Sequence, residues 1–314
     1  MDEILTHLLS ADPTPAADHL PSWWAAVAPL RERFQRPVER ALALGLVAPT
    51  PGAAFVGGYR AALHAMIPGL GVHTRAALCA SEEGGAHPAG IHTRLRAIGE
   101  GYALDGTKRF VTGARDADAL LVLADRGAGE GARRALALVR VDPDAPGVRL
   151  EDMPATSFVP DVAHCAVTFA ETPVALEAVL DGDGWGAYVK PFRTLEDVHV
   201  SAAITAWLLG ALRRHGGPRA LVERLCAQAA LLHGLASTSP ESAAAHVALA
   251  GAFAGLHAAI EAMEPWWGDA PEGVRAMWAR DRRILGVARY ARDQRLARAW
   301  ERLSPAPRAS SGGG

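Results

Sequence analysis

The sequence predicts an α+β chain in three parts: N-terminal helices, a central antiparallel β-barrel domain and a C-terminal four-helix bundle. Three observations lead there. Apolar residues recur at helical spacing up to about residue 72. Between Ala76 and about residue 182 the pattern changes to short alternating runs separated by turn residues, and from Lys190 onward helical spacing returns. The expected parts are residues 1–75, 76–189 and 190–303, followed by a Pro-, Ser- and Gly-rich tail at 304–314 whose composition is that of a disordered end.

In the first part Leu5, Leu8 and Leu9 make a short apolar face. A second helical pattern runs from Trp23 and Trp24 to Val47 with a break at Pro37, and a third from Phe55 to Met66, stopped by Pro68-Gly69. In the middle part, strands are expected at 120–124, 135–141 and 166–169, with turns around Gly127, at 142–147 and at Pro160-Asp161. Several short strands at this spacing suit a small barrel, and Asp105-Gly106 reads as a tight hairpin turn. The last part divides into segments 194–215, 218–235, 240–263 and 271–303. Pro218 and Pro240 stand where a first-turn proline is tolerated, and alanine-rich runs such as 243–251 favour close helix packing in a four-helix bundle.

Composition excludes several classes. The 314 residues are 50% hydrophobic and 21% charged, with a formal net charge of -2, so no basic face for nucleic acid is indicated. Cys79, Cys165 and Cys226 lie far apart without a CxxC pair, which points to reduced thiols in the cytoplasm rather than a disulfide frame or a metal site. The acidic start lacks the basic-then-apolar pattern of a secretion signal, and no uninterrupted apolar run is long enough to span a bilayer, so no membrane partner is expected.

Two long motifs carry a resemblance. The run Leu78-Cys79-Ala80-Ser81-Glu82-Glu83-Gly84-Gly85-Ala86-His87-Pro88 resembles the Val-Thr-Glu-Pro-x-Ala-Gly-Ser-Asp run in the middle domain of acyl-CoA dehydrogenases. Downstream, Gly101, Leu104, Gly106, Lys108, Phe110, Thr112 and Ala114 match that family's Gly-x-x-Leu-x-Gly-x-Lys-x-Trp-Ile-Thr-Asn-Ala. The resemblance implies an acyl-CoA dehydrogenase-like fold with a shortened N-terminal domain, FAD as cofactor, an acyl-CoA-like substrate, and assembly as a homodimer or homotetramer. It places Leu78, Ala80, Ser81, Phe110 and Thr112 against the flavin, with Ser81 in place of the motif threonine and Phe110 in place of its tryptophan. Ala86 and His87 fall where the family holds substrate.

The family's catalytic base is a glutamate that removes the α-proton of a thioester while the flavin takes the β-hydride. Counted from Arg280-Asp281, that position is Arg289, and a guanidinium stays protonated at any working pH. Other members place the base early in the first bundle helix, where Glu196 and Asp197 are the nearest acids; both also read as first-turn carboxylates that complement the helix dipole. The Arg-x-x-Phe-Gly segment that helps hold the family's cofactor diphosphate is missing, leaving Arg213, Arg214, Arg219 and Arg224 as cations in that region. Three readings follow: an FAD-dependent dehydrogenase of acyl thioesters, a flavin-dependent monooxygenase of the same superfamily, and a non-catalytic descendant of the fold.

Overall fold

A computed structural model describes residues 1–128 and 134–304. Beyond Ser304 the tail lies outside the described residues. The N-terminal part contains α1 (Asp2–Ser10), α2 (Leu20–Ala26), α3 (Ala28–Arg33), α4 (Pro37–Leu46) and α5 (Pro51–Met66). Prolines stand in the first turn of four of them, α2 to α5, where the missing N–H costs nothing, and Thr50 caps α5 by accepting from the Ala53 N–H. The apolar face of α1 consists of Ile4 and Leu8, with Leu5 packed partly buried beside them as expected; Leu9 is exposed.

The middle part is a seven-stranded curled sheet: β1 (Ala76–Cys79), β2 (Arg94–Ile98), β3 (Gly101–Thr112), β4 (Ala119–Ala128), β5 (Arg134–Val141), β6 (Val148–Asp152) and β7 (His164–Ala175). β5 lies on one edge of β4, and β1 and β2 follow one another along its other edge. From β2 the sheet continues through β3 and β7 to β6. All these pairings are antiparallel except those of β4 with β1 and β2. The loop 80–93 interrupts a single line of strand, and both pieces run in the direction of β4. Alternation sorts the side chains: Leu120, Val122, Ala137, Val139 and Val167 fill one face, while Leu121, Leu123, Leu136 and Leu138 pack on Tyr59, Leu63 and Phe192 of the helices.

The tight turn lies elsewhere than Asp105-Gly106. Ile98 pairs with Gly101, so Gly99-Glu100 makes the hairpin, with Gly99 at φ +52°. Asp105-Gly106 is a bulge inside β3, where a Cβ on Gly106 would come 2.6 Å from the Thr93 Cα.

The C-terminal part is built on α6 (Lys190–Arg214), followed by α7 (Arg219–Leu235) and α8 (Ala243–Ala262). The segment expected as a fourth helix at 271–303 is broken. After α9 (Glu264–Asp269), α10 (Glu272–Asp281) ends at a 3₁₀ stretch, Arg282–Gly286, and α11 (Arg289–Leu303) begins anew. Burial of Asp281 explains the break: its carboxylate accepts the Val159 N–H at 2.7 Å and pairs with Arg280 at 2.7 Å, fixing the end of α10 to the loop after β6. Stacked indoles, Trp207 on Trp278 and Trp278 on Trp267 with centroids 5.6 and 5.8 Å apart, hold α10 against α6. Two helices, α6 with the turn before it and α8, are long and apolar enough to cross a membrane by length and composition; the first is mostly buried as the central helix, and the second is only one-third buried.

α6 meets α4 backbone to backbone. A Cβ on Gly45 would lie 2.2 Å from the Ala203 carbonyl oxygen, so Gly45→Ala must push the two helices apart. The expected cost is about 1–3 kcal/mol, seen in urea unfolding as a lower midpoint at unchanged slope.

Candidate functional site

The loop 80–93 leaves the sheet after β1 and is anchored by charge. Glu82, 7% exposed, accepts from the Lys108 ammonium at 2.7 Å, from the Thr93 N–H and hydroxyl at 3.0 and 2.9 Å, and from the His92 N–H at 2.8 Å. Lys108 is fully buried. This pair ties the two sequence motifs together. The signal was present in the sequence as the one acid and the one lysine that the two motifs share with their family pattern.

Immediately beyond Lys108, the Arg109 N–H donates to the Ser81 carbonyl at 2.8 Å, bringing the loop beside β3. A bulge between Lys108 and Val111 turns Phe110 out of the sheet. Phe110 has φ +56° and is 61% exposed, although aromatic residues strongly avoid that backbone region. A strained, solvent-facing aromatic is the kind of outlier that a binding surface retains. Ser81, Phe110 and Thr112 are therefore gathered at one place, and neither hydroxyl has a hydrogen-bond partner among the described residues. Ala80 is buried, and the Leu78 N–H is already donated to the Tyr59 hydroxyl at 2.9 Å.

The two candidate bases separate clearly. Asp197 is buried and faces two guanidiniums of α11, Arg292 at 3.3 Å and Arg295 in close contact. It is an internal tie between α6 and α11: burial raises its carboxyl above the ordinary value, and the Arg295 and Arg292 guanidiniums offset only part of that rise. Glu196 is partly buried and has no hydrogen-bond or ion-pair partner among the described residues. Burial, and then the neighbouring Asp197 charge, push its carboxyl up to about 7. Burial, and more weakly the Glu196 charge, raise the Tyr59 hydroxyl. Glu196 lies two residues beyond Thr194, which lines a cleft beside His87, but does not itself line it. Arg289 opens α11 with its side chain 82% exposed, paired loosely with Asp293.

A cleft of about 540 Å³ lies between the loop 80–93, the start of α6, the α7–α8 connection and α11. His87 and Pro88 form one wall, so the predicted substrate residue His87 does face a cavity, whereas Ala86 packs against the apolar cluster around Tyr59 and Phe192. The cleft is cationic. Lys190 is offset by Glu241 at 3.0 Å, but Arg193, Arg298 and Arg302 line it with no ion-pair or hydrogen-bond partner among the described residues. The four arginines considered from sequence lie elsewhere. Arg213 and Arg214 donate to carbonyls of Leu8, Pro13 and Leu46, Arg219 pairs with Glu223, and Arg224 donates to the Ala258 carbonyl. The helical spacing of Arg292, Arg295, Arg298 and Arg302 was the readable sign that α11 carries a cationic face.

These features fit a flavin in both halves. The exposed Phe110 ring with two unpaired hydroxyls offers an aromatic surface with polar neighbours. The three unpaired arginines of the cleft offer charge for a diphosphate. Among the described residues no group of three or more His, Cys, Asp or Glu is placed to hold a metal ion, and the three cysteines are free.

Residues 76–172 match the family model for the acyl-CoA dehydrogenase middle domain. No curated protein matches the chain. Solved structures similar over nearly the whole length include one described as an FAD-dependent dehydrogenase, 16% identical, with a TM-score of 0.70 over 97% of this chain and 98% of that one. A probable acyl-CoA dehydrogenase from Mycobacterium abscessus is 15% identical, with a TM-score of 0.63 over 96% and 98%. FkbI, described as serving biosynthesis of a methoxymalonyl extender unit, is 20% identical with a TM-score of 0.61 over 97% and 99%. The middle domain thus matches the acyl-CoA dehydrogenase middle-domain family over residues 76–172, and the helix–sheet–helix architecture of the whole chain is the acyl-CoA dehydrogenase fold.

Proposed function

We propose that the protein binds FAD and oxidises a CH–CH bond beside the carbonyl of an acyl thioester, with Glu196 as the base. The observation that carries this is Glu196 itself: a carboxylate of α6 with no hydrogen-bond or ion-pair partner among the described residues, pushed by burial up to about 7. A base poised near the working pH combines a useful ionised fraction with enough basicity to take a carbon-bound proton. In this reading Glu196 stands in for the glutamate that Arg289 has displaced.

Ser81, Phe110 and Thr112 would hold the flavin ring, and Arg193, Arg298 and Arg302 would neutralise phosphates of the cofactor or the thioester carrier. Bound flavin supplies the two-electron acceptor for the β-hydrogen. The chain's own residues do the rest: the cleft orients the thioester, Glu196 removes the α-proton at its carboxylate oxygen, and burial around it limits exchange of that proton with water. The alanine-rich α8, only one-third buried, supports assembly as a homodimer or homotetramer, and the free cysteines support a cytoplasmic location.

The visible spectrum of the purified protein, taken before and after incubation with excess FAD and gel filtration, tests the reading. A retained flavin band that bleaches anaerobically with an acyl-CoA is expected. A band that resists every acyl-CoA, with oxygen consumed once the flavin is reduced, would favour a monooxygenase. A protein that stays colourless with FAD would leave only a non-catalytic role.

A further inference from the structure

We propose that α3, α4 and α5 build a second ligand site, for an oxyanion: a carboxylate or phosphate whose charged end is held by Arg31, Arg40 and Arg60. This site is independent of the flavin reading, because none of its residues lines the cleft that holds His87.

The three arginines are 6%, 8% and 3% exposed. All three line one small cavity beside Trp24, together with His64. The guanidiniums of Arg31 and Arg60 each lie 4.3 Å from the Trp24 ring centroid. The protein satisfies this charge only in part. Arg31 donates to the Trp24 carbonyl at 2.5 Å, and Arg40 to the carbonyls of Phe34 and Gln35 at 3.3 and 3.0 Å. Among the described residues the one carboxylate in contact is Asp116, 2.8 Å from Arg60. Arg31 Nε and Arg60 Nη1 are buried with no hydrogen-bond partner among the described residues.

The remaining neighbours do not supply the missing negative charge. His64 donates from Nε2 to the Thr74 carbonyl at 2.9 Å, and its Nδ1 faces Arg40 at 3.5 Å, which is the neutral tautomer. Arg75 is matched by Asp118 at 2.5 Å, and Glu32 is turned outward to His73 at 3.2 Å. Three buried cations against one carboxylate leave a net positive charge inside the helices. Buried charges are ordinarily paired, since an unpaired one is strongly disfavoured away from water.

The shape fits an anion that enters from outside. The inner cavity, about 10 Å³, holds no more than one water-sized sphere. It shares Arg40, His64 and Val72 with an open cleft of about 460 Å³ between the ends of α4 and α5, lined also by Pro37, Leu70 and His199. An anionic oxygen therefore reaches the guanidiniums while the rest of the molecule occupies the wider cleft. Guanidinium forks match the edges of carboxylate and phosphate.

Isothermal titration of the full chain at constant ionic strength, with inorganic phosphate, adipate and chloride as separate probes, tests the site. Saturable binding of phosphate or adipate is expected, at least tenfold weaker in Arg60→Met. Tighter adipate identifies an organic ligand that uses the cleft, and tighter phosphate identifies a free oxyanion. Arg40→Met is the second variant, since its guanidinium faces both cavities and its loss should weaken the same probe. If neither variant folds, wild-type crystals soaked in the probe decide by density, or its absence, beside Arg40. No binding of either oxyanion, binding of chloride alone, or equal binding by wild type and variants would overturn the proposal.

Discussion

Glu196→Gln is expected to lower turnover by roughly 10²–10⁴-fold and, above neutral pH, to make the protein more stable. The two effects have one cause. In the unfolded chain this carboxyl titrates at its ordinary value of 4.5, and in the fold burial moves it to about 7. The fold therefore favours the neutral form. The associated stability is fully present below pH 4.5 and is lost as pH rises through 7, by at most about 3 kcal/mol for a shift of this size. Glutamine cannot ionise, so the variant escapes that loss. Thermal unfolding should show matching midpoints near pH 4.5 and a gap that opens toward pH 8, in favour of the variant. The wild-type rate should rise through pH 7 as the base ionises. A general folding defect would lower stability at every pH. Full activity in the variant would remove Glu196 from the chemistry, and parallel stability curves would remove its raised pKa.

The order of parts and the middle-domain strands were legible because they depend on local period and on turn residues. The two motifs were legible because Ser81, Glu82, Lys108 and Thr112 stand at fixed spacing along the chain. What escaped depends on partners distant in sequence. Asp105-Gly106 has the composition of a hairpin turn, yet Thr93 packs against Gly106 and the pair becomes a bulge. Asp197 looked as good a base as Glu196, because nothing in residues 193–199 announces two arginines arriving from α11 nearly 100 positions later. The break between α10 and α11 follows from a buried bond between Asp281 and the Val159 amide, 122 residues apart. The buried cluster of Arg31, Arg40 and Arg60 gave no signal at all, since each arginine alone reads as a solvated helix face.

Lys108→Met is expected to destabilise the protein by about 3–5 kcal/mol, the largest stability loss of any single change considered. Lys108 is fully buried on β3 and Glu82 nearly so on the loop, and neither can return to water without opening the sheet. Removing the ammonium leaves a buried carboxylate held only by the amides of His92 and Thr93 and the Thr93 hydroxyl. The loss should not stop at stability. Ser81 precedes Glu82, and its carbonyl is bonded to the residue after Lys108, so the surface carrying Ser81 and Phe110 loosens together with the pair. Urea unfolding measures the first effect, and retention of FAD through gel filtration measures the second. The double variant Glu82→Gln/Lys108→Met removes both charges and should recover part of the loss, giving a coupling energy well above the few tenths expected of independent sites. Acid should mimic the single change. Burial raises the Glu82 carboxyl, but the Lys108 bond and the loop amides outweigh it and hold the pKa below the usual value of 4.5, so this stability persists above pH 4.5 and falls away as pH drops through the lowered pKa. A Lys108→Met protein within 1 kcal/mol of wild type would mean that the loop is held by its backbone bonds alone, and that the two motifs are neighbours in space without being coupled in energy.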